Sequence, residues 1–174
     1  PTTLHPGGRP TAPNPRSLLG IEQLGRPEID ALLDRADEFK AARGLDDGSH
    51  DRILAGRTVV NVFFESSTRT RTSFEIAAKR LGALTVSIQE QGSSLSKGES
   101  ASGAPHFLSR YLNTPIVNAG DGRHEHPTQA LLDAMTIRER LGSLENLRVA
   151  IIGDIAHSRV ARSNLHLLSR YGSR

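Results

Sequence analysis

Apolar residues first gather at Leu18, Leu19, Ile21, Leu24, Ile29, Leu32 and Leu33. Their helical spacing, up to about Ala42, predicts one or two helices. Residues 1–15 hold Gly7, Gly8 and five prolines with almost no apolar side chains, the composition of a flexible tail. The pattern then changes period. Arg57–Phe64 (RTVVNVFF) is β-branched and aromatic and predicts a buried strand. Thr72–Leu81 predicts a helix ended by Gly82, and Ala83–Ile88 a second short strand. Gln89–Ser100 (QEQGSSLSKGES) is a polar loop with two glycines, a composition common in ligand-binding loops. Beyond it the pattern predicts a short helix over Ala104–Leu112, a strand over Pro115–Asn118 and a turn at Gly120–Gly122. A long helix follows over Pro127–Leu141, then a strand over Leu147–Asp154 and a helix over Val160–Tyr171. Alternating strands and helices imply an α/β fold with a mainly parallel sheet and right-handed crossovers. Function in such folds sits at the carboxyl ends of the strands.

Composition narrows the classes. The longest apolar run, around Val149–Ile152, is far shorter than the roughly 18–20 residues of a membrane helix. The first residues show no secretory pattern, and a cytoplasmic protein is expected. With no cysteine, disulfides, thiolate metal sites and cysteine nucleophiles are excluded. A net charge of +3 over 174 residues does not imply nucleic acid. Of the 22 basic residues only Lys40, Lys79 and Lys97 are lysines. Arginine makes planar, bidentate contacts to phosphate and carboxylate, although a codon preference would produce the same bias.

Four segments could carry chemistry. Glu65-Ser66-Ser67-Thr68-Arg69-Thr70-Arg71 lies between a strand and a helix, where unpaired N–H groups and the helix dipole attract an anion. Hydroxyls and guanidinium would complete a phosphate cradle, although an ordinary capped helix start with solvated arginines fits the spacing equally. The glycine pattern of a nucleotide P-loop is absent. Ser93–Glu99 offers the isolated Lys97, which would reach an anion as a mobile point charge or simply lie in solvent. His124-Glu125-His126-Pro127-Thr128-Gln129 puts Pro127 in a first helical turn, with His126 able to polarise a carbonyl and Gln129 to hold an amide. A zinc pair at His124 and His126 lacks a third ligand in the sequence. Gly153–Arg159 follows a strand but has one glycine, a weak dinucleotide signal, and Arg159 alone reads as a loop arginine.

In this order, FFESSTRTRTSFE (63–75), SSLSKGE (93–99), NAGDGRHEHPTQALLD (118–133) and GDIAHSRVARSN (153–164) resemble the catalytic chain of the aspartate transcarbamoylase family. The STRTR motif is shared with ornithine transcarbamoylase, whereas HPTQ with LLD and the SKGE loop is similar to the aspartate enzyme. The resemblance implies transfer of the carbamoyl group of carbamoyl phosphate to the α-amino group of L-aspartate, in pyrimidine synthesis, with no cofactor and no metal. It implies that Ser67, Thr68, Arg69 and Thr70 bind the phosphate, with Thr70 also near the carbamoyl oxygen. His126 would donate to that oxygen, Gln129 would fix the carbamoyl amide, and Arg159 would hold an aspartate carboxylate. Ser94 and Lys97 would reach into a neighbouring subunit's site, giving a homotrimer with shared sites, to which regulatory chains could attach. Glu65 would bridge domains and pair with Arg159 on closure. No nucleic acid and no membrane are expected as partners.

The resemblance also divides the chain. Residues 16–142 would form a carbamoyl phosphate-binding lobe, a parallel sheet with helices on both faces, and 147–174 the start of a second α/β lobe that binds aspartate. The family carries a helix and a strand where this chain runs directly from Ser100 to Ala101, so a segment is expected to be missing there. Two other readings remain open from the sequence: a non-catalytic phosphate-binding or assembly fragment, and transfer to another amine such as ornithine.

Overall fold

The computed structural model describes residues 15–42, 52–63, 67–89 and 104–174. The expectations for the tail before Pro15, for Glu65, for Ser94 and Lys97, and for the Ser100–Ala101 junction lie outside the described residues. The chain divides into two compact units, residues 1–33 with 100–174 and residues 34–99. The class is α/β, with a parallel two-stranded sheet and helices.

Helix α1 is Arg26–Ala41, with Pro27 and Glu28 in its first turn, where a missing N–H costs nothing and a negative charge favours the dipole. The helical period ahead of it does not make a helix. Leu18 is extended and bridges Val117 in parallel, donating to Ile116 O at 2.8 Å and accepting from Asn118 N at 2.8 Å, and the chain turns where Leu24 N meets Ile21 O at 2.9 Å. The physical reason is tertiary, because the partners of this segment lie about 100 residues away. A Cβ at Gly20 would collide with the Glu125 carboxylate, and the extended path buries both Leu19 and Ile21.

Helix α3 is Ala104–Tyr111, α4 is Pro127–Leu141, and α5 is Arg159–Ser169, entered through a single 3₁₀ turn at Ile155–His157. The core of this unit joins Ile21, Ile29 and Leu33 to Ala130 and Ala134 of α4, Leu144, and Leu167, Leu168 and Tyr171 at the end of α5. Spacings of four in Ile29/Leu33 and Ala130/Ala134 put each pair on one helix face. Each large side chain buried there contributes about 1.5–3 kcal/mol.

Two expected strands are reduced. Pro115–Asn118 forms only the Leu18–Val117 bridge. Leu147–Asp154 is not a strand: Val149 N donates to Arg174 O at 2.7 Å and Arg174 N to Leu147 O at 2.8 Å, and no further ladder bonds run along it. Ile152 is 95% exposed. Strand geometry requires a neighbour to pair with, and one residue, Arg174, supplies the pairing here.

In the second unit, β1 (Thr58–Phe63) and β2 (Leu84–Gln89) pair in parallel with Val60 opposite Val86 and Val62 opposite Ile88, joined by helix α2 (Thr68–Arg80). Helix α2 begins four residues before the apolar period does, because its first turn is polar and gives no periodic signal. Within β1, Asn61 is buried while Val60 and Val62 are exposed, the alternation of a sheet covered better on one face.

Candidate active site

The phosphate-binding candidates lie at the start of α2. Ser67 is the residue before the helix, and its hydroxyl donates to Thr70 Oγ1 at 3.0 Å rather than capping a backbone group. The first N–H groups of any helix lack an intrahelical acceptor, so those of Thr68, Arg69 and Thr70 face outward. No acidic residue sits in this first turn, which carries Arg69 and Arg71. An N-terminus with this charge favours an anion. Downstream, the Glu75 carboxyl is held below its ordinary range by a hydrogen bond and charge from Lys79, one turn on at 2.7 Å, with a smaller contribution from Arg71.

The other candidates, His126, Gln129 and Arg159, lie in the first unit, where His126 and Arg159 come together. Asn118, fully buried, organises the turn that precedes them: its Nδ2 donates to Leu19 O at 2.9 Å and Asp121 Oδ1 at 3.0 Å, and its Oδ1 accepts from Gly120 N at 2.9 Å. Asp121 Oδ1 also accepts from Glu125 N at 3.0 Å. Gly120 has φ of +114°, and a Cβ on it would lie 3.0 Å from His126 Cδ2 and 3.2 Å from Arg159 Cζ. The imidazole and the guanidinium therefore sit together over a position that only glycine can occupy. Arg159 Nη1 donates to Gly122 O at 3.2 Å, while Ser158 caps α5 by accepting from Ala161 N at 3.1 Å. Half-buried and tied to the turn, Arg159 is not a solvated loop arginine.

His126 occupies the residue before α4, with Pro127 at the first helical position as expected. Its backbone N–H donates to Ser163 Oγ at 2.9 Å, and that hydroxyl donates to Glu125 Oε2 at 2.9 Å. Glu125, 2% exposed, also accepts from Ile21 N at 2.8 Å and Glu22 N at 3.4 Å. One carboxylate thus joins α5, the N-terminal segment and the start of α4. Gln129 turns its Nε2 to Asp133 Oδ1 at 2.9 Å, and Asn164 Nδ2 holds the other Asp133 oxygen at 2.7 Å. The amide carbonyl of Gln129 is the end left to accept from a ligand.

This framework of Asn118, Asp121, Glu125, Ser163, Asp133 and Asn164 was not legible as such in the sequence. Only the density of polar residues within 118–133 signalled it. Of the zinc pair considered above, His124 does lie in a cluster of potential ligands, with His106 and Asp121, and His126 lies in none among the described residues.

Comparison with known proteins agrees with the motif resemblance. The family model described as "Aspartate/ornithine carbamoyltransferase, carbamoyl-P binding domain" matches residues 16–114 and 101–139. The aspartate carbamoyltransferase catalytic subunit of Solibacter usitatus is 60% identical over 181 aligned positions, covering 92% of this chain and 60% of its own length. That of Sorangium cellulosum is 53% identical, covering 91% of this chain and 56% of its own. Among solved structures, the catalytic subunit of M. Jannaschii aspartate transcarbamoylase superposes with a TM-score of 0.78 at 34% identity, over 90% of this chain and 57% of that one. The Trypanosoma cruzi aspartate transcarbamoylase, in complex with carbamoyl phosphate and aspartate, superposes at 0.80 and 34% identity, over 91% and 56%. The chain thus spans somewhat under two thirds of the length of these relatives. With a family model matched over most of its length and a relative at 60% identity, the chain belongs to the aspartate/ornithine carbamoyltransferase family.

Proposed function

We propose that the protein to which this chain belongs transfers the carbamoyl group of carbamoyl phosphate to the α-amino group of L-aspartate, giving N-carbamoyl-L-aspartate and phosphate. The observation that carries this reading is the placement of His126 and Arg159 side by side over Gly120, in a chain 60% identical to an aspartate carbamoyltransferase catalytic subunit. Ser67, Thr68, Arg69 and Thr70 cradle the phosphate with backbone N–H groups, hydroxyls and one guanidinium. As the amine nitrogen attacks the carbamoyl carbon, negative charge builds on the carbonyl oxygen, and His126 and Thr70 donate to it. Gln129, oriented by Asp133, accepts from the carbamoyl NH₂ and fixes its plane. The carbon–oxygen bond to phosphate then breaks, the attacking amine gives up its proton to the departing phosphate, and phosphate leaves. Arg159 pairs with an aspartate carboxylate.

The domain reading stands on the same motifs: a carbamoyl phosphate lobe over 16–142 and the start of an aspartate lobe over 147–174. The alignment to the Solibacter relative is 181 positions long for 92% of a 174-residue chain, so that relative carries residues this chain lacks. This supports a missing segment at Ser100–Ala101. A homotrimer with Ser94 and Lys97 shared between sites, and a cytoplasmic setting for pyrimidine synthesis, rest on motif similarity alone. No helix of the described residues is long and apolar enough to cross a membrane.

The test is a carbamoyl-aspartate assay on the purified protein beside calorimetry with phosphate. In His126→Ala, kcat is expected to fall about 10²–10³-fold, with phosphate affinity nearly unchanged. An unchanged kcat removes His126 from the chemistry. Phosphate binding without any turnover by the unaltered protein favours a phosphate-binding or assembly role instead.

A further inference from the structure

Two groups of potential metal ligands occur among the described residues: His106 with Asp121 and His124, and Glu22 with Glu125 and His166. They differ in what the buried carboxylate already does. In the second group, Glu125 spends its oxygens on Ile21 N, Glu22 N and Ser163 Oγ, so it is committed to the protein. In the first, Asp121 is 3% exposed and spends only Oδ1, which accepts from Asn118 Nδ2 and Glu125 N. Its Oδ2 is buried with no hydrogen-bond partner, and so is His124 Nδ1, 3.4 Å away. A buried carboxylate oxygen left in this state is a cost to folding unless something occupies it.

The histidines complete the arrangement. His106, on α3, sets its ring edge-on to that of His124 at 5.2 Å between centroids, and one ligand atom from each of the three residues lies within 4.8 Å of the others. Asn118 and the Glu125 N–H fix the carboxylate through Oδ1, as outer hydrogen bonds do for metal-binding carboxylates. Two imidazoles and one carboxylate suit a borderline transition metal and suit calcium or magnesium poorly. His124 is partly exposed, which leaves an approach for the ion and room for water to fill the remaining coordination.

We propose that His106, Asp121 and His124 bind a divalent transition-metal ion of the zinc class. The ion ties α3 to the turn that leads into His126. It neutralises Asp121 and takes no part in carbamoyl transfer, so the proposal does not depend on the assignment of that reaction.

The experiment is titration of the chelator-stripped whole protein with Zn²⁺ by calorimetry and with Co²⁺ by visible absorption. One ion per chain and the ligand-field bands of nitrogen- and oxygen-bound cobalt are expected. Loss of an outer-shell partner alone typically weakens a metal about 10–100-fold, so His106→Asn and His124→Asn should each weaken binding by at least that much. His166→Asn, in the committed cluster, should leave affinity unchanged. Melting curves of the stripped variants identify any that fail to fold, and the unaltered protein decides the matter regardless. Absence of stoichiometric zinc binding overturns the proposal, as does binding that survives both His106→Asn and His124→Asn.

Discussion

The unit that carries His126 and the unit that carries the STRTR motif are built to different standards of burial. In the first, Ile21, Ile29 and Leu167 are fully buried and Leu33 is 1% exposed. In the second, Ala78 and Ala83 are the only buried apolar residues among the described ones, while Val60, Val62, Val86 and Ile88 are 37–52% exposed. Both units position a site element, but by different means. His126 is held by a closed polar frame resting on a packed core. The proposed phosphate cradle needs only a helix N-terminus, which a strand and one helix provide. A two-stranded sheet is marginal by itself, and its open apolar face is where further structure would be needed. The proposed gap at Ser100–Ala101 removes residues from the polypeptide adjoining that sheet.

The comparison can be broken by substitution. The largest expected effect is Leu167→Ala, which empties a closed site and should cost about 3 kcal/mol by urea unfolding, against about 1 kcal/mol or less for Val86→Ala on the open face. Equal costs would mean that the sheet face is covered in solution. Next is Glu125→Ala, which strands the Ile21 N–H and the Ser163 hydroxyl and should cost about 2–3 kcal/mol. Because Ser163 also holds His126 N, this variant should lose kcat more than phosphate affinity, whereas Val86→Ala should alter neither.

A smaller effect sharpens the core side. Tyr171 donates to Asp30 Oδ1 at 2.7 Å, and burial first, then that hydrogen bond, pushes its hydroxyl well above the ordinary value of about 10. Its folded pKa is raised, so its contribution is complete below about pH 10 and is lost as pH rises beyond it. Tyr171→Phe should cost about 1 kcal/mol at pH 7, and its melting temperature should fall less steeply above pH 10 than that of the unaltered protein. The smallest effect is Lys79→Ala. The Glu75–Lys79 pair is solvent-exposed, so no change is expected in thermal melts at neutral pH. Since Glu75 has a lowered pKa, what it does contribute is present above the ordinary carboxylate value and disappears as pH falls through the folded one.

How far the sequence could be read follows from where each element's bonds lie. Helices α3 and α4 appear within a residue of the ranges expected, because their hydrogen bonds and apolar faces are local. The β1–α2–β2 alternation was equally plain. Leu18–Ile21 misled, since helical spacing there serves an extended segment whose partner, Val117, lies far along the chain. Leu147–Asp154 has the composition of a strand but pairs only with Arg174. For the site, residue type and order pointed to Ser67–Thr70, His126, Gln129 and Arg159, whose roles are proposals, and Ser94 and Lys97 lie outside the described residues.

By itself, then, the sequence determined α3 and α4, the β1–α2–β2 alternation, the candidate anion site at the start of α2 and the family motifs, since each depends on neighbours along the chain. Tertiary structure alone decided that Gly120 seats His126 against Arg159, that Glu125 serves the protein while Asp121 keeps a free oxygen, and that His106 joins His124. These are contacts between residues distant in sequence, and the free energy of a buried polar group depends on the partner that folding brings to it.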